Sequence, residues 1–465
     1  MKKIRLINTF FCLLLGLAAS LPCASASAQG WDRDYEQRAQ EVTAGLTRLN
    51  GLLSWTPNNP ASWPEAAPSE QTPFKPERAT QTVSWNRQVK PARLTRLTLA
   101  NSGLHRAVDL SGLSALTRLE IYGNQLRGLN LDGNSELIEL AAMKNQLGSL
   151  NLKPCPKLRY LSVSTNHLKE LDLSATPFIQ RLRASANQLK ALDLSNNPEL
   201  ADLEIMNNEL SSLDLSNAHL LNRLMISHNQ IKEIDLSFNQ QLVEFGARNN
   251  HLGDLDLKAN NQLQEIVVSR NRLSRLSLEN LSELIRLSAD QNLISSINLS
   301  YCPNIKNLEL NNNPLQELIV GDNQFSELQS LNLDGCRLPL SALLPLTGKA
   351  SGRARFGNQE AVLFEHLTLT QEQPLDLSEE ANLGGTPTRF IVLTEKKRRL
   401  RPDLYNEDAG IIIFKSPGRY FVEMSNDKVV SSETNQLTGR ARTFKVKAVT
   451  GLIDVLPTGE GEVGP

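Results

Sequence analysis

Five carboxylates at a fixed interval are the residues of this sequence that most resemble a ligand set. They are Asp172, Asp193, Asp214, Asp235 and Asp256, and the equivalent positions around them hold Asn130, Asn151, Ser277 and Asn298. If each interval forms one layer of a stack, neighbouring carboxylates are about 4.8 Å apart and repel one another. A row of calcium ions, each binding about six to eight oxygen atoms, is one way to compensate this charge.

The alternative is that each of these Asp residues accepts a hydrogen bond from a nearby backbone N–H. Lys169, Lys190 and Lys232 also lie close by in the sequence, and the turns lack the glycines of calcium-binding β-helix repeats. These features favour the backbone hydrogen bond over a calcium row. The sequence therefore predicts neither a metal site nor a cofactor.

Motifs of catalysis are absent from the sequence. It contains no G-x-S-x-G, no H-E-x-x-H and no glycine-rich phosphate loop. Cys155 and Cys302 occupy one repeat position seven intervals apart, roughly 34 Å at a strand spacing of about 4.8 Å, which is far beyond disulfide reach. No Cys follows Cys336, which excludes a thioester mechanism in the C-terminal region. We predict a protein that is not an enzyme.

The interval belongs to a repeat that runs through half of the chain. Ten asparagines are spaced by 21 residues: Asn124, Asn145, Asn166, Asn187, Asn208, Asn229, Asn250, Asn271, Asn292 and Asn313. Around each the sequence reads L-x-x-L-x-[LIVA]-x-x-N-x-[LI]-x-x-[LI]-x-L, as in "LNRLMISHNQIKEIDL". A fixed period of this length predicts a solenoid, in which each repeat buries its apolar face against its neighbours.

The segment L-x-x-L-x-L-x-x-N-x-L resembles the leucine-rich repeat, here in the short bacterial form with one leucine pattern nested in another. The resemblance extends from Leu94 to Leu338, with Ser102 and Cys336 at the Asn position of the first and last repeats. It implies an α/β-class horseshoe-shaped solenoid of about twelve coils, mostly β with little helix. It also implies binding of proteins on the concave sheet.

The repeated Asn has a structural explanation. After each strand the chain turns inward and leaves backbone N–H and C=O groups away from water. One carboxamide provides two donors and an acceptor, enough to pair with both groups. We therefore interpret the row as scaffold and exclude it from the candidate binding site.

The first residues have the pattern of a secretory signal peptide. Lys2, Lys3 and Arg5 precede an apolar run, and Ala26-Ser27-Ala28 matches a cleavage site. We predict a signal peptide over 1–28 and a periplasmic or extracellular location. Its removal changes the formal charge from −1 to −4, which argues against nucleic acid as a partner. No other apolar stretch is long enough to span a membrane.

The segments that flank the repeats differ in composition. Residues 29–93 begin with helical spacing at Val42, Leu46, Leu49 and Leu53, continue with a Pro-rich stretch and contain all four tryptophans. We predict an N-terminal cap for a solenoid over 94–340, and a ligand site built from the Trp residues is the alternative.

The β-rich runs of 351–456 predict a small all-β, sandwich-like domain, followed by a flexible tail over 457–465. The stretch "SPGRYFVEMSN" with "TFKVKAV" resembles two strands of an immunoglobulin-like sandwich, with Tyr420 near a corner. The run "EKKRRLR" is either a basic contact patch or the solvated face of a hairpin.

Strand alternation directs three rows of side chains out of the concave sheet, at six, four and two residues before each Asn. These rows hold Met143, Met206 and Met225, contain many Arg and no Lys, and this composition is typical of interface cores. Exposed strands that simply favour such residues are the alternative. The candidate partner-binding residues are Arg181, Arg183, Glu204, Met206, Arg223, Met225 and Arg248.

The sequence thus predicts a secreted, non-enzymatic protein that binds another protein on its concave sheet. Two alternatives are a glycan- or cell-wall-binding protein and a structural component of the envelope. A glycan site needs an aromatic platform, and the solenoid offers little beyond Tyr122 and Tyr160.

Overall fold

The computed structural model describes residues 81–86, 93–111, 113–322, 325–357, 359, 366–434, 441–450 and 452–457. The predicted signal peptide over 1–28 lies outside the described residues. The same holds for nearly all of the predicted cap over 29–93, including Trp31, Trp55 and Trp63, and for the tail beyond 457. The domain boundaries, the cap and the signal peptide stay predictions.

One parallel sheet runs along the repeats and gives the fold its axis. Consecutive strands pair in register from coil to coil, so that Arg223 faces Asp202 on one side and Glu244 on the other. Its thirteen strands are Arg93–Leu99, Arg118–Glu120, Glu139–Ala141, Tyr160–Ser162, Arg181–Arg183, Asp202–Glu204, Arg223–Met225, Glu244–Gly246, Glu265–Val267, Arg286–Ser288, Asn307–Glu309, Ser330–Asn332 and Arg353–Arg355.

This solenoid of about twelve coils confirms the predicted fold class and the resemblance to leucine-rich repeats. Almost no helix is present in the described residues: one α-helical turn, Leu340–Leu343, and the 3₁₀ turns Leu344–Leu346, Ser378–Glu380 and Pro402–Leu404. Two pairs of short parallel strands lie on the other side of the coils, His105–Asp109 with Gln125–Asn130 and Ser296–Asn298 with Glu317–Ile319. Strand Gln81–Asn86 pairs antiparallel with Arg93–Leu99 at the N-terminal end of the main sheet.

The leucines of the repeat form one continuous core. In every three-residue strand the middle side chain points inward, and Leu182, Leu203 and Leu224 are fully buried. Since each coil can bury these side chains only against the coils on either side, packing energy depends on stacking.

The asparagine row is hydrogen-bonded as predicted, and every member is buried except Asn187, which is half-buried. Nδ2 of Asn208 donates to the carbonyl oxygens of Ile205 (3.2 Å) in its own coil and Ala184 (3.0 Å) in the preceding coil. Its Oδ1 accepts the N–H of Leu189 at 3.1 Å. The same three contacts recur down the row, for example at Asn250. Each carboxamide therefore joins two coils.

The residue just before each of these asparagines has a left-handed backbone. Thr165 has φ 59°, Ala186 55°, Asn207 54° and His228 59°, a region that costs most non-glycine residues energy. This conformation turns the chain at the end of the strand and lets the next side chain enter the interior. Little in the sequence identified it, since only Gly123 and the asparagines in this row are residue types that favour a positive φ.

Beyond the solenoid the described chain is all β with mixed sheets. The long strand Gly418–Thr434 pairs antiparallel with Arg389–Thr394 and with the solenoid strand Arg353–Arg355, so one sheet continues from the repeats into the C-terminal region. The remaining strands are His366–Thr370, Pro374–Asp376, Asn382–Leu383, Thr386–Pro387, Tyr405–Asp408, Ile411–Phe414, Ala441–Val449 and Leu452–Leu456.

Two contacts order this region. The Tyr420 ring stacks on Phe414 with centroids 4.9 Å apart, and its hydroxyl lies 3.0 Å from the carbonyl oxygen of Ser416, to which it donates. Glu380 is buried and accepts hydrogen bonds from the backbone N–H and the hydroxyl of Ser341, which lies in the helical turn after the last coil. Burial raises the pKa of Glu380, partly offset by these bonds. The C-terminal region thus packs directly on the end of the solenoid.

Removal of one ladder amide should destabilise the protein measurably. Asn208→Ala leaves backbone groups of two coils unpaired, which should lower the free energy of unfolding by about 1–3 kcal/mol. The control Ser211→Ala alters an exposed residue of the same coil and should stay within about ±0.5 kcal/mol. Urea unfolding of both variants tests this, and equal midpoints would contradict the ladder's role.

The left-handed row offers a stabilising substitution. Thr165 is exposed and β-branched at φ 59°, whereas Asn tolerates this region better. Thr165→Asn should raise the free energy of unfolding by up to about 1 kcal/mol. The reciprocal change, Asn207→Thr in the same position two coils later, should lower it by a similar amount, which urea midpoints measure. Shifts of the same sign in both variants would refute the explanation.

Candidate functional site

The seven candidate residues lie together on the concave sheet and are called here the central concave patch. Strands Arg181–Arg183, Asp202–Glu204, Arg223–Met225 and Glu244–Gly246 are consecutive neighbours in this sheet, which brings all seven onto one surface. Arg181 is exposed, and the other six are half-buried. The patch members are Arg181, Arg183, Glu204, Met206, Arg223, Met225 and Arg248.

Most of the patch arginines are paired with carboxylates on adjacent coils. Arg223 contacts Glu204, lies 3.2 Å from Asp202 through Nη1, and reaches Glu244 at 2.8 Å through Nε. Arg181 Nε is 2.9 Å from Asp202 Oδ2. These charged groups form one network across four strands.

Sequence reasoning missed Asp202 and Glu244 as members of this network. Both stand in the same row as Arg181 and Arg223, at intervals of 21 residues. Opposite charges at that interval on a parallel stack are direct neighbours, so the signal was present in the sequence. The network gives the arginines a role on the sheet itself, in addition to any role toward a partner.

The network changes the ionisation of its central residue. Burial lowers the pKa of Arg223, but the hydrogen bonds and charges of Glu204, Glu244 and Asp202 outweigh burial and raise the pKa above its ordinary value. Arg183 lies 3.6 Å from Glu204 and 3.8 Å from Asp202, and its buried Nε has no hydrogen-bond acceptor in the described chain. The Arg223 guanidinium is therefore hydrogen-bonded to its neighbours, whereas Arg183 lies near two carboxylates without a hydrogen bond from its Nε.

Met206, Met225 and Arg248 differ from the paired arginines. The Met225 side chain lies over Gly246. A Cβ atom at position 246 would be only 2.5 Å from Met225 Sδ, so the glycine leaves the space that this side chain occupies. Within the described residues, no carboxylate lies within ion-pair distance of Arg248. The patch thus offers two apolar side chains and a cation without a carboxylate partner beside a preorganised network.

Serines in the third exposed row support the sheet behind the patch. The Ser185 hydroxyl accepts the N–H of Met206 at 3.0 Å, and the Ser227 hydroxyl accepts the N–H of Arg248 at 3.1 Å.

The part of the concave sheet on the N-terminal side of the patch is more apolar, with a buried cluster of Ala100, Tyr122 and Ala141 against which Met143 packs. Tyr160 is 37 % exposed, and its ring centroid is 5.7 Å from the Arg181 guanidinium carbon.

The Asp row that could have bound calcium is engaged in local turns. Oδ1 of Asp193 accepts the N–H of Ser195 at 2.9 Å, and Asp214 accepts that of Ser216 in the same way. In the equivalent turn, Oδ1 of Asn130 accepts the N–H of Asp132 at 3.0 Å. The turn therefore requires a hydrogen-bond acceptor but not a negative charge. The predicted hydrogen bond from backbone N–H is therefore confirmed. No group of three or more metal-ligating side chains occurs in the described parts of the chain.

These hydrogen bonds lower the pKa of four carboxyl groups in the row, those of Asp172, Asp193, Asp214 and Asp235. The backbone and hydroxyl of Ser195 lower the pKa of Asp193, while the charges of Asp172 and Asp214 oppose this. Since the folded-state pKa is lowered, the resulting stabilisation is fully present above the unfolded-state value of about 3.9. It is lost as the pH falls through the lower folded-state pKa.

A second, interrupted row of buried asparagines escaped sequence reasoning. Its members are Asn134, Asn197, Asn239 and Asn260, all fully buried. Nδ2 of Asn239 donates to the carbonyl oxygens of Ala218 (2.8 Å) and Leu215 (3.2 Å) in the coil before. Its Oδ1 has no donor in the described chain. The four asparagines lie at multiples of 21 residues, but Cys155, Thr176 and Ala218 occupy the intervening positions and hide the interval.

The three described cysteines are buried free thiols. Burial raises the pKa of Cys155 to about 11 and that of Cys302 to about 12. Neither forms much thiolate near neutral pH, and only the thiolate is nucleophilic.

In the described residues, no helix is long and apolar enough to cross a membrane.

Comparisons with known proteins return similar structures only. No protein-family profile matches the sequence, and no curated protein matches it significantly. The functional domain of InlJ from Listeria monocytogenes, which includes a cysteine ladder, is 22% identical and covers 78% of this chain and 90% of its own, with a TM-score of 0.41.

Two other similar structures are an internalin and an effector. The internalin InlF from Listeria monocytogenes is 23% identical over 57% of this chain and 87% of its own, with a TM-score of 0.46. YopM, a leucine-rich effector protein from Yersinia pestis, is 29% identical over 51% of this chain and 65% of its own, with a TM-score of 0.45. At TM-scores below 0.5 these likenesses add nothing to what the repeat geometry shows.

Two substitutions of Asp193 distinguish its role as a hydrogen-bond acceptor from the effect of its negative charge. Asp193→Asn keeps the turn acceptor and removes repulsion from Asp172 and Asp214, so its melting temperature at pH 7 should equal or exceed the wild-type value. Asp193→Ala removes the acceptor and should melt lower. Melting curves with a chelator and with added calcium complete the test. If Asp193→Asn melts as low as Asp193→Ala and calcium stabilises only the wild type, the row is a cation site.

Proposed function

We propose that this leucine-rich-repeat chain is an exported, non-enzymatic protein that binds a protein partner through its central concave patch. The observation that carries the proposal is the cluster of Met206, Met225 and Arg248 beside the ion network on adjacent strands. Methionine and arginine are enriched at interface cores, where Lys is depleted. A partner of this patch needs an apolar segment to cover the two thioethers and an acceptor, most simply a carboxylate, for Arg248.

The ion network favours such binding for an entropic reason. Association usually costs the freedom of the side chains that become fixed. Arg181 and Arg223 are already paired with Asp202, Glu204 and Glu244, so they have less freedom to lose. A partner can use their remaining N–H groups as directional donors.

Binding of a glycan is the second candidate and has weaker support. A sugar-binding face needs aromatic rings on which sugar rings stack, and the described concave surface exposes one such ring, Tyr160. Tyr122 lies on the same sheet but is buried. The balance of apolar and charged side chains in the patch suits a polypeptide better. A structural envelope component without a soluble ligand is a third possibility, and the partner-capture experiment below distinguishes it.

Export rests on the N-terminal sequence. Three basic residues, an apolar run and a small-x-small motif near Ala28 form a secretory signal. We propose a periplasmic or extracellular location on this basis. No nucleic acid is expected as a partner, because the chain without its first 28 residues is mildly acidic.

The unpaired members of the patch should dominate affinity. We expect the triple variant Met206→Ala, Met225→Ala, Arg248→Ala to lose about 2 kcal/mol or more of binding energy, roughly thirtyfold in affinity. Its melting temperature should change little, because these side chains are half-buried at the surface. The measurement is capture of binding proteins from envelope and medium fractions with wild-type and variant baits, followed by titration of the captured protein.

The matched control lies outside the concave sheet. Lys190→Ala with Lys232→Ala alters two exposed residues of the repeats and should leave binding intact. Arg223 is unsuitable for this comparison, since its removal disturbs the network. If the Lys pair abolishes binding while the triple variant binds normally, the concave assignment is wrong. Absence of any captured protein with either bait would favour the structural role.

A further inference from the structure

The basic run of the C-terminal region forms a well-ordered hairpin tip. Strand Arg389–Thr394 ends at Thr394, whose N–H donates to the Arg398 carbonyl oxygen at 2.7 Å. In return, the N–H of Lys397 donates to the Thr394 carbonyl oxygen at 2.8 Å. The N–H of the buried Leu400 donates to the Val392 carbonyl oxygen at 2.8 Å. The tip therefore has a defined backbone and an anchored base.

Four consecutive cations project from this tip. Lys396, Lys397, Arg398 and Arg399 are all exposed, and none has an ion-pair partner in the described chain. The two nearest carboxylates in sequence are engaged elsewhere: Glu395 lies 3.2 Å from Arg419, and Asp403 lies 3.6 Å from Arg401.

This arrangement contrasts with that of the concave sheet, where arginines pair with acidic residues of neighbouring coils. Like charges held this close repel one another, so the tip is stabilised by any anion that approaches it. The sequence alone favours a solvated hairpin face for this run, but a solvated face does not need the local acids to be directed away from the cations.

More surface at the same end of the sheet has matching character. Arg419 lies 3.2 Å from Glu395 and 3.0 Å from Asp454, which ties the tip to strand Leu452–Leu456. Leu456 follows Asp454 by two residues at the end of that strand and is 50% exposed. Lys415 is also exposed, lies just before strand Gly418–Thr434 and has no ion-pair partner among the described residues. Lys415 and Leu456 both contact Gln371 through their backbone carbonyl oxygens, and Arg419 joins the tip to the strand that holds Leu456.

We propose that this end of the C-terminal region binds the phosphate-bearing headgroups of an anionic lipid surface. Clustered Lys and Arg are attracted to the negative potential of such a surface, each adding to the affinity. The exposed Leu456 favours a lipid surface over a soluble polyanion, because an apolar side chain gains by entering the interface between headgroups and acyl chains. The concave sheet stays free, so the basic tip and the central concave patch can act independently.

The test is sedimentation of the full chain with vesicles of phosphatidylcholine containing phosphatidylglycerol, and with phosphatidylcholine vesicles as the neutral reference. The wild-type protein should bind the anionic vesicles at 0.1 M salt, where the screening length is about 10 Å. It should dissociate from them as the salt concentration rises, because salt screens the charges further. Changing Lys396, Lys397, Arg398 and Arg399 together to Gln should weaken binding at least about tenfold. Leu456→Ser should weaken it by a smaller factor, about twofold to fivefold.

A matched variant with four exposed cations of the repeats changed to Gln removes the same charge. Its positions are Lys153, Lys169, Lys232 and Lys258. It should bind anionic vesicles within about twofold of wild type. Equal loss in both quadruple variants would mean non-specific attraction and overturn the proposal, as would no binding by wild type. Equal affinity of wild type and Leu456→Ser, with tighter binding to soluble polyphosphate than to vesicles, would assign the tip to a soluble polyanion instead.

Discussion

The inward turn after each strand is the constraint on which the rest of this structure depends. A chain that turns into its own core must pair backbone groups that water cannot reach. Here a left-handed residue makes the turn, and the carboxamide that follows it bonds to the same coil and the coil before, as at Asn208. Because one side chain serves two coils, no coil is complete by itself. The ladder therefore sets both the spacing of the strands and their order.

That fixed spacing brings surface residues that are far apart in the sequence into direct contact. Side chains 21 residues apart lie on directly paired strands, as Asp202, Arg223 and Glu244 do. Charges at this separation must either pair or repel. Arg223 pairs with Asp202 and Glu244, whereas Glu244 and Glu265 on adjacent strands are both acidic. The exposed Asp row on the other side solves the same problem differently, since each carboxylate accepts a nearby backbone N–H. One geometric repeat thus has two electrostatic arrangements, and the concave one pairs long side chains with carboxylates of neighbouring coils.

The sequence predicted the structural features that depend on one residue type recurring at every 21-residue interval. Leucine and asparagine at fixed positions were sufficient for the strands, the inward faces and the buried ladder, and hence for the location of Met206 and Met225 on the concave face. Other features depend on combinations of residues. The left-handed position accepts Lys144, Thr165 or His228, because closure of the coil imposes the backbone whatever the side chain. Which carboxylates pair with Arg223 depends on side-chain rotamers. The sheet continues beyond the repeats because strand Arg353–Arg355 pairs with strand Ser330–Asn332, and the repeat pattern does not specify this pairing.

The basic tip and the central concave patch differ in how they respond to their surroundings. On the concave sheet, half-buried cations are held against carboxylates, where salt screens them less and burial strengthens each contact. On the hairpin tip, exposed cations have no carboxylate within reach, and ionic strength governs their attraction at long range. A surface of the first kind selects a partner by shape and directed hydrogen bonds, whereas a surface of the second kind gathers charge without regard to detail. We therefore propose that the basic tip contacts a charged surface while the central concave patch remains open to a specific partner.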